Sequence, residues 1–506
     1  MACATAVESF MSRIVCRVLA ASITLAFLAA HAQPPYQVTA ERLWRYPHAL
    51  SQVPGQKSEI VAHDQRTDTL WVAGAAGVDV LDRSTGQWKA HVSAAPFGMV
   101  NSVAIHDGLA ALAIEAFPDR TLPGYVLFVD TQTGKQLGSP VTVGSLPDML
   151  TFTPNGRTVL VANEGTPNPR IPGQPCPVDP PGSVSLIDVK TRELVTLPFS
   201  SSIPGFDQLR QFPAVGNGTT RPDMCSYDAE PEYIAVDASG DKAYVGMQEA
   251  NGIAVLDLKG QRFERIYGLG LKDFNLPGNG IDANDRDGTV ELRPVPVKGL
   301  YQPDAISSYM HKGRTYLVMA NEGDSRDNGS SDGEDERRGS AGSASVELVP
   351  EDSLLGRLVM SNVESARDNL VSFGGRSFSI RDADGAIVFD SGNRLDAEAI
   401  RRGLYDHGRS DNKGVEPEGV ALLAIEGRTL AFIGLERALK SAVAIYDITD
   451  PRDVHFMDMI VSDGDISPEG LSAFRVGSRY FLAVANEVTD STSLFEIRLL
   501  QANAPR

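Results

Sequence analysis

A short motif recurs along the chain and constrains its fold more than any other feature. In one copy, Glu416-Pro417-Glu418-Gly419 opens an apolar run, and a second apolar run ends in Glu436-Arg437. The motif therefore places one acidic residue at the start of a first strand and another at the end of the second. Further copies open at Leu146-Pro147-Asp148, Glu230-Pro231-Glu232, Gln302-Pro303-Asp304 and Ser467-Pro468-Glu469. A motif that returns every several dozen residues predicts a repeat architecture.

The segments around these motifs are short, apolar and evenly spaced. They group into seven units, each with three clear strands and room for a fourth, which is typical of propeller blades. The sequence therefore predicts an all-β chain forming a single closed β-propeller, with seven four-stranded blades and long loop insertions; six or eight blades also fit. We expect Tyr36–Tyr46 to complete the last blade beside Ser493–Leu499. In the fifth unit, the polar run Asp324–Ser345 predicts a loop, and a short helix fits near Asp352–Leu358.

The first 32 residues have the pattern of an export signal. Arg13 and Arg17 precede the apolar segment Val18–Ala30, and a cleavage site of the A-x-A type ends at Ala32. We therefore assign residues 1–32 to a signal peptide and 33–506 to the propeller domain. Since no later segment is long and apolar enough to cross a bilayer, the sequence predicts a periplasmic or secreted protein without a membrane span.

The charge balance excludes some classes of partner. The chain has 46 basic and 65 acidic residues, giving a formal net charge of −19. Such a surface repels nucleic acid and anionic lipid, so neither is an expected partner. The same charge suits the binding of cations. We expect the protein to be a monomer.

Two cysteines remain after removal of the signal, Cys176 and Cys225. In an oxidising compartment such a pair usually forms a disulfide, here between two loops rich in Pro and Gly. The alternative is two unpaired thiols.

If the units superpose, the acids of the motif form two tiers around the mouth of a central channel. The first tier consists of Glu59, Asp148, Glu232, Asp304, Glu418 and Glu469, and Asn101 takes the equivalent place in the second unit. The second tier consists of Glu115, Glu164, Glu249, Glu322, Glu436 and Glu487. Two unit charges ~6 Å apart repel by roughly 3 kcal/mol at an effective dielectric constant near 20. So many acids therefore need protons, basic partners, backbone donors or a metal ion.

Each acid has a structural and a functional interpretation. Structurally, it would accept backbone hydrogen bonds from the neighbouring blade. Functionally, some would bind Ca²⁺, which prefers carboxylate and carbonyl oxygens. The candidate ligands are Glu232, Asp304, Glu322, Glu418 and Glu469.

Basic residues occur in the loops beside these acids. The candidates are Arg326, Arg376 and Arg437, with Arg409 and Lys413 before Glu416. Each could form a salt bridge with its acidic neighbour. Carboxylates for a cation combined with guanidinium groups for an anion are also the composition of a phosphoester site.

A second candidate calcium site lies in the loop Asp282–Gly288. It has the D-x-[DN] opening of an EF-hand loop, with Asp282 and Asp287 as candidate ligands. However, Arg286 stands where a ligand is expected, and no Glu occupies the twelfth position. The alternative is a solvated acidic turn.

Several long segments have a family-specific pattern: Leu146–Gly165, Glu230–Val236, Gly299–Ala305, Asn321–Asp327, Ser372–Ile380, Glu416–Gly419 and Phe432–Arg437. Through these segments the chain resembles the choice-of-anchor I family over roughly Glu59–Ile497. Val159–Val189 and Tyr244–Leu258 are also similar to YVTN-type propeller repeats. The resemblance implies an exported β-propeller, and some relatives carry an alkaline-phosphatase-like label. Members often have a C-terminal surface anchor, and we recognise none before Arg506.

Two functional hypotheses follow. In the first, the protein is a Ca²⁺-dependent phosphoester hydrolase in which a metal-bound water attacks the phosphorus and Arg326, Arg376 and Arg437 hold the phosphate. Its partner would be a small-molecule phosphoester. In the second, the propeller is not an enzyme and binds a cell-surface ligand, with calcium serving only rigidity.

Overall fold

Short strands joined by tight turns dominate the structure, as the sequence predicts. The computed structural model describes residues 36–166, 178, 180–210, 229–326, 335–340, 348–350 and 352–501. One compact unit spans Val38–Leu499; a second contains the two chain ends, of which only Tyr36, Gln37, Leu500 and Gln501 are described. The predicted signal peptide, Cys176 and Cys225 lie outside the described residues.

Strands β1 to β18 cover the first half of the chain. They are β1 (Tyr36–Pro47), β2 (Val61–Asp64), β3 (Thr69–Gly74), β4 (Gly77–Asp82), β5 (Trp88–Ser93), β6 (Met99–His106), β7 (Leu109–Glu115), β8 (Pro123–Asp130), β9 (Lys135–Gln136), β10 (Val141–Ser145), β11 (Pro147–Phe152), β12 (Thr158–Asn163), β13 (Ser183–Asp188), β14 (Leu194–Pro198), β15 (Pro231–Val236), β16 (Lys242–Met247), β17 (Gly252–Asp257) and β18 (Arg262–Gly268).

Strands β19 to β34 and one α-helix cover the second half. They are β19 (Leu271–Asp273), β20 (Val297–Leu300), β21 (Ile306–His311), β22 (Arg314–Asn321), β23 (Glu336–Arg338), β24 (Val359–Ser361), β25 (Leu370–Ser372), β26 (Ser377–Asp382), β27 (Ile387–Asp390), α1 (Arg394–Arg402), β28 (Pro417–Ile425), β29 (Arg428–Leu435), β30 (Ser441–Asp447), β31 (His455–Ser462), β32 (Pro468–Val476), β33 (Arg479–Asn486) and β34 (Ser491–Gln501). Short 3-10 helices occupy His48–Ser51, Phe206–Gln208 and His407–Arg409.

Seven sheets contain the motif or its equivalent. Each is an up-and-down sheet. The orders are β2-β3-β4-β5, β6-β7-β8-β10 with β9 beside β8, β11-β12-β13-β14, β15-β16-β17-β18, β21-β22-β26-β27, β28-β29-β30-β31 and β32-β33-β34-β1. The predicted fourth strand of each unit is therefore present. The position of β1 beside β34 confirms the predicted pairing of the N-terminal strand.

The first strands of successive sheets are neighbours. In chain order, β2, β6, β11, β15, β21, β28 and β32 each contact the next, and β32 also contacts β2. The apolar core lies between adjacent sheets; Val318 and Phe378 of one sheet, for example, share a cluster with Ile433 and Tyr446 of the next. This packing brings the acids that open the first strands towards one another.

Insertions around the fifth sheet form small elements of their own. The sheets β19-β20-β25 and β23-β24 pack around an apolar cluster that includes Phe274 and Met360. The helix predicted near Asp352–Leu358 is wrong, because that segment forms turns closed by backbone hydrogen bonds between residues three apart, and it buries Leu355 and Leu358. The one described α-helix, α1, lies further along the chain and buries Leu395 and Ala399.

No helix in the described ranges is both long enough and apolar enough to span a bilayer.

Candidate functional site: a carboxylate cavity

The backbone of the motif explains where its first acid points. The residue before each proline has a positive φ: Leu146 45°, Glu230 31°, Gln302 42°, Glu416 49° and Ser467 64°. In β11, Pro147 pairs with Asn163 and Met149 with Ala162, which leaves Asp148 opposite no residue. The same register shift follows the prolines that open β15, β28 and β32. Because such β-bulges redirect side chains, they turn the acids away from the regular ladder.

A backbone hydrogen bond joins the two tiers of acids in each of three units. The carbonyl oxygen of the positive-φ residue accepts from the N–H of the second acid. The pairs are Leu146 with Glu164 at 2.8 Å, Glu416 with Glu436 at 2.9 Å, and Ser467 with Glu487 at 2.9 Å. In the fifth unit the donor to Gln302 is Gly323, next to Glu322, at 3.0 Å. The predicted tiers are thus adjacent because the motif folds back on itself.

Five of the seven first-tier residues line a cavity of about 80 Å³. The polar side chains that line it are Asn101, Ser102, Tyr233, Asp148, Asp304, Glu418 and Glu469. No Lys, Arg or His belongs to this lining in the described chain. The predicted grouping of Asn101, Asp148, Asp304, Glu418 and Glu469 around one space is confirmed.

Glu59 and Glu232 do not line the cavity but interact electrostatically with residues that do. Burial, followed by the charges of Glu487 and Asp148, raises the pKa of Glu59 to about 7. Burial and then the charges of Glu249, Glu164, Asp304 and Asp148 raise the pKa of Glu232 well above its ordinary value. These two predicted ring members therefore belong to the same electrostatic cluster.

The other acids of the cluster also have raised pKa values, because they too are buried and lie near other acids. Burial and then the charge of Glu115 raise the pKa of Asp148 to about 6. Burial is also the main cause that raises the pKa of Glu249 and of Glu436 to about 8. The first-tier side chains are reached by solvent only in part, so water provides limited compensation. A bound cation would compensate these charges more effectively.

One group of carboxylates has the spacing of a metal site. Oxygens of Asp304, Glu322 and Glu418 all lie within 4.8 Å of one another. Asp304 and Glu418 are close enough to share a hydrogen bond, and burial with neighbouring acids raises the pKa of both well above the ordinary range. Glu418 Oε2 is buried and accepts from no donor in the described structure. These three oxygens suit a hard cation such as Ca²⁺.

The other predicted metal ligands lie elsewhere. Glu469 lines the cavity, and its pKa is raised well above the ordinary value by burial and then by the charges of Glu59 and Glu487. Glu232 hydrogen-bonds Glu249. Of the five predicted ligands in the tiers, the structure thus brings Asp304, Glu322 and Glu418 into one triad.

Lys413 lies among the acids on this side of the cavity. Its Nζ is 3.1 Å from Glu322 Oε1 and 3.2 Å from Glu416 Oε2. Arg409 Nε donates to Glu416 Oε1 at 2.9 Å. Burial alone would raise the pKa of Glu416, but Lys413 and Arg409 outweigh it and hold that pKa below its usual value. The sequence placed these basic residues beside Glu416, but Glu416 itself belongs to neither predicted tier.

Of the three predicted phosphate-binding arginines, Arg437 lies at the acid cluster. Its Nη2 is 2.7 Å from Glu436 Oε1, and its side chain is 41% exposed. Its Nε is 3.9 Å from Glu416 Oε2. Arg437 therefore forms the salt bridge that the sequence offered as an alternative.

Arg376 and Arg326 are buried and do not line the cavity. Arg376 donates to the carbonyl oxygens of Asp282, Ser410 and Asn412, at 2.7–3.1 Å. It thereby holds two loops together. The backbone N–H of Arg326 donates to Asp335 Oδ2 at 3.1 Å. Phosphate contacts by Arg326 and Arg376 stay predictions.

The loop Asp282–Gly288 closes around His407. The ring nitrogen Nε2 of His407 is 2.9 Å from the carbonyl oxygen of Asn284, 3.5 Å from Asp282 Oδ2 and 3.9 Å from Asp287 Oδ1. Asp287 also accepts from Thr289 in a local turn. Within the described ranges, Asp282 and Asp287 are not part of a group with metal-site spacing, and calcium at this loop stays a prediction.

The comparison with family models agrees with the family that the sequence motifs resemble. The model of the choice-of-anchor I domain matches residues 59–451. No curated protein matches the chain. Among solved structures, the chain is similar to Kuenenia stuttgartiensis hydrazine synthase at 12% identity, with a TM-score of 0.49, over 90% of this chain and 97% of the other.

Proposed function

The chain belongs to the choice-of-anchor I family, and we propose that it is an exported β-propeller that binds a hard divalent cation, Ca²⁺ or a similar ion, in its carboxylate cavity. Seven sheets whose first strands follow one another, with β32 contacting β2, support a closed ring of seven blades. The family and the sequence of residues 1–32 support export to the periplasm or the cell exterior.

The observation that carries the cation proposal is the triad of Asp304, Glu322 and Glu418, with oxygens within 4.8 Å of one another beside a cavity whose lining has acids but no described basic residue. Without an ion, the acids must stay partly protonated. With an ion, the carboxylates could ionise together, because the ion supplies the charge that burial withholds. In this proposal the bound ion fixes the ring and offers open coordination positions to a ligand in the cavity.

Calcium titration of the mature chain tests the proposal. After dialysis against chelator and then chelator-free buffer, we expect calorimetry to detect saturable binding of calcium to the wild type. Glu418→Gln should weaken binding at least about tenfold, since it removes one charged ligand. Glu426→Gln, on an exposed turn at the other end of the same hairpin, serves as the matched control. Absence of saturable binding to the wild type would overturn the proposal.

Phosphoester hydrolysis is a second candidate function, and the position of Arg437 favours it. Its partly exposed guanidinium group lies beside Glu436, whose pKa is raised by burial and by Glu322. It could therefore contact an anion held by the ion. A screen of phosphomonoesters and phosphodiesters, with calcium and with chelator, distinguishes the two functions. Hydrolysis that requires calcium and falls in Arg437→Gln would favour the enzyme; binding of calcium without turnover would favour the binding protein.

A further inference from the structure

Two carboxylate triads adjoin at one side of the cavity, and they share Glu322. The first, which we call the open triad, consists of Asp304, Glu322 and Glu418. The second, which we call the lysine triad, consists of Glu322, Glu416 and Glu436. In each triad the three carboxylate oxygens lie within 4.8 Å of one another. Two neighbouring sets of oxygens therefore have similar spacing.

The lysine triad already contains a cation supplied by the chain. The Lys413 ammonium is 3.1 Å from Glu322 Oε1 and 3.2 Å from Glu416 Oε2, and its side chain is only 9% exposed. The other oxygen of Glu322 accepts from Gln248 Nε2 at 2.9 Å. The ammonium group of Lys413 therefore lies between two of the three acids of the lysine triad, where an ion shared by Glu322 and Glu416 would also lie.

The open triad differs in its partners. No described basic side chain lies within ion-pair distance of Asp304 or Glu418, and Glu418 Oε2 is buried without a donor. A buried carboxylate oxygen without a donor is unfavourable unless it is protonated or coordinates a cation. The two triads therefore have similar spacing and share Glu322, which pairs with Lys413, but they differ in their other members. Glu416 and Glu436 have basic partners, whereas Asp304 and Glu418 have none among the described residues.

We propose that Lys413 is an intramolecular cation that fills the lysine triad and so limits the protein to one divalent ion, bound at the open triad. The claim that one divalent ion binds at the open triad rests on the proposed function. The claim that Lys413 fills the lysine triad does not, because Lys413 would keep that triad filled whether or not the open triad binds an ion. Removing the ammonium should convert the lysine triad into a second ion site, because its three acids would then outnumber the flanking Arg409 and Arg437.

The test counts calcium ions bound by the mature wild type and by Lys413→Gln, with calcium chloride as the only added ligand. We expect one ion for the wild type and two for Lys413→Gln. Lys440→Gln is the matched control, since Lys440 pairs with the exposed Asp463 on the surface; it should still bind one. Metal analysis of the dialysed proteins gives an independent count.

Each outcome is decisive. One ion in both the wild type and Lys413→Gln overturns the inference. No ion in the wild type and one in Lys413→Gln overturns the proposed function but supports the role of Lys413, whereas no ion in either overturns both. If Lys413→Gln does not fold, Glu436→Gln provides the answer: it removes a carboxylate of the lysine triad and no ligand of the open triad, so it should bind one ion with an affinity within about fivefold of the wild type. Loss of the ion in Glu436→Gln would overturn the inference.

Discussion

His48 Nδ1 lies 2.7 Å from Asp79 Oδ2, and both side chains are fully buried. The other ring nitrogen of His48 is 2.9 Å from Thr492 Oγ1. His48 follows β1, Asp79 is in β4 and Thr492 is in β34, so a single imidazole connects the first sheet to the last. We infer that this contact stabilises the junction between the two ends of the sheet series.

His48→Ala should therefore destabilise the protein. The change removes two buried hydrogen bonds and leaves a small void, which together should lower the free energy of unfolding by about 3 kcal/mol. Chemical denaturation measures the loss. The control is His455→Ala, because the ion-pair partner of His455, Asp453, is exposed; it should lose less than about 1 kcal/mol. Equal losses in both variants would contradict the structural role of His48.

Asp79 should contribute stability that is lost in acid. Burial alone would raise its pKa, but hydrogen bonds from His48 and His91 and the charge of His48 outweigh burial and lower the pKa to about 2. Because the unfolded chain binds this proton more readily, the contribution is complete above about pH 4 and disappears as the pH falls towards 2. In Asp79→Asn, the loss of stability between pH 4 and pH 2 should be smaller than in the wild type. Identical acid profiles would contradict the prediction.

The stability contributed by the acids in and around the carboxylate cavity should depend on pH in the opposite sense. The pKa values of Glu59, Asp148, Glu249 and Glu436 are raised to between about 6 and about 8. The folded state therefore holds protons that the unfolded state releases near pH 4. In chelator, the melting temperature should fall as the pH rises from 5 to 8, since a pKa that is one unit higher in the folded state than in the unfolded state corresponds to about 1.4 kcal/mol. A constant or rising melting temperature would show that the acids ionise without penalty.

Calcium should reverse part of this loss, because a ligand that binds only the native state stabilises it. At pH 8 we expect calcium to raise the melting temperature of the wild type. Asp304→Asn and Glu418→Gln should lose little stability in chelator, or gain some, and should respond less to calcium. If the acids serve only as hydrogen-bond acceptors, both variants will be destabilised equally in either condition. Melts with calcium and with chelator separate these results.

The left-handed backbone of the motif can be tested at Ser467, where φ is 64°. Ser467→Gly and Ser467→Val both remove the hydroxyl that donates to Glu436 Oε1 at 3.3 Å. They differ in that glycine adopts positive φ readily and a β-branched residue does not. Ser467→Val should therefore be less stable than Ser467→Gly by about 1–2 kcal/mol in urea denaturation. Equal stabilities would argue against this backbone conformation in solution.

Cys176 and Cys225 lie outside the described residues, and their disulfide stays a prediction from the sequence. Mass spectrometry of the exported, non-reduced protein should find one peptide pair linked through these residues. Closing a loop of this length stabilises the native state by roughly 4 kcal/mol in the chain-entropy model. Two alkylated thiols would contradict the prediction.

The sequence by itself determined the all-β class, the repeat and the identity of the acids. Strand alternation is local, and the proline of the X-Pro-acid motif is the first residue of β11, β15, β28 and β32. The grouping of Asp148, Asp304, Glu418 and Glu469 around one cavity follows from superposing the repeats, so it could be predicted. The family could also be recognised from contiguous segments.

Only the tertiary structure decided which acids meet and what compensates them. Glu322 and Glu418 come from different sheets, and their approach depends on packing between sheets that no local pattern encodes. Lys413 comes from an insertion, and nothing in its neighbouring residues shows that it reaches Glu322, 91 positions earlier. In the sequence, Arg376 and Arg437 look alike, because each is an arginine in a loop of the motif-containing segments. In the structure, Arg376 is buried and donates to backbone carbonyl oxygens, whereas Arg437 is partly exposed and pairs with Glu436. Residue type fixes what a side chain can bind, whereas its partner depends on how distant segments fill the same space.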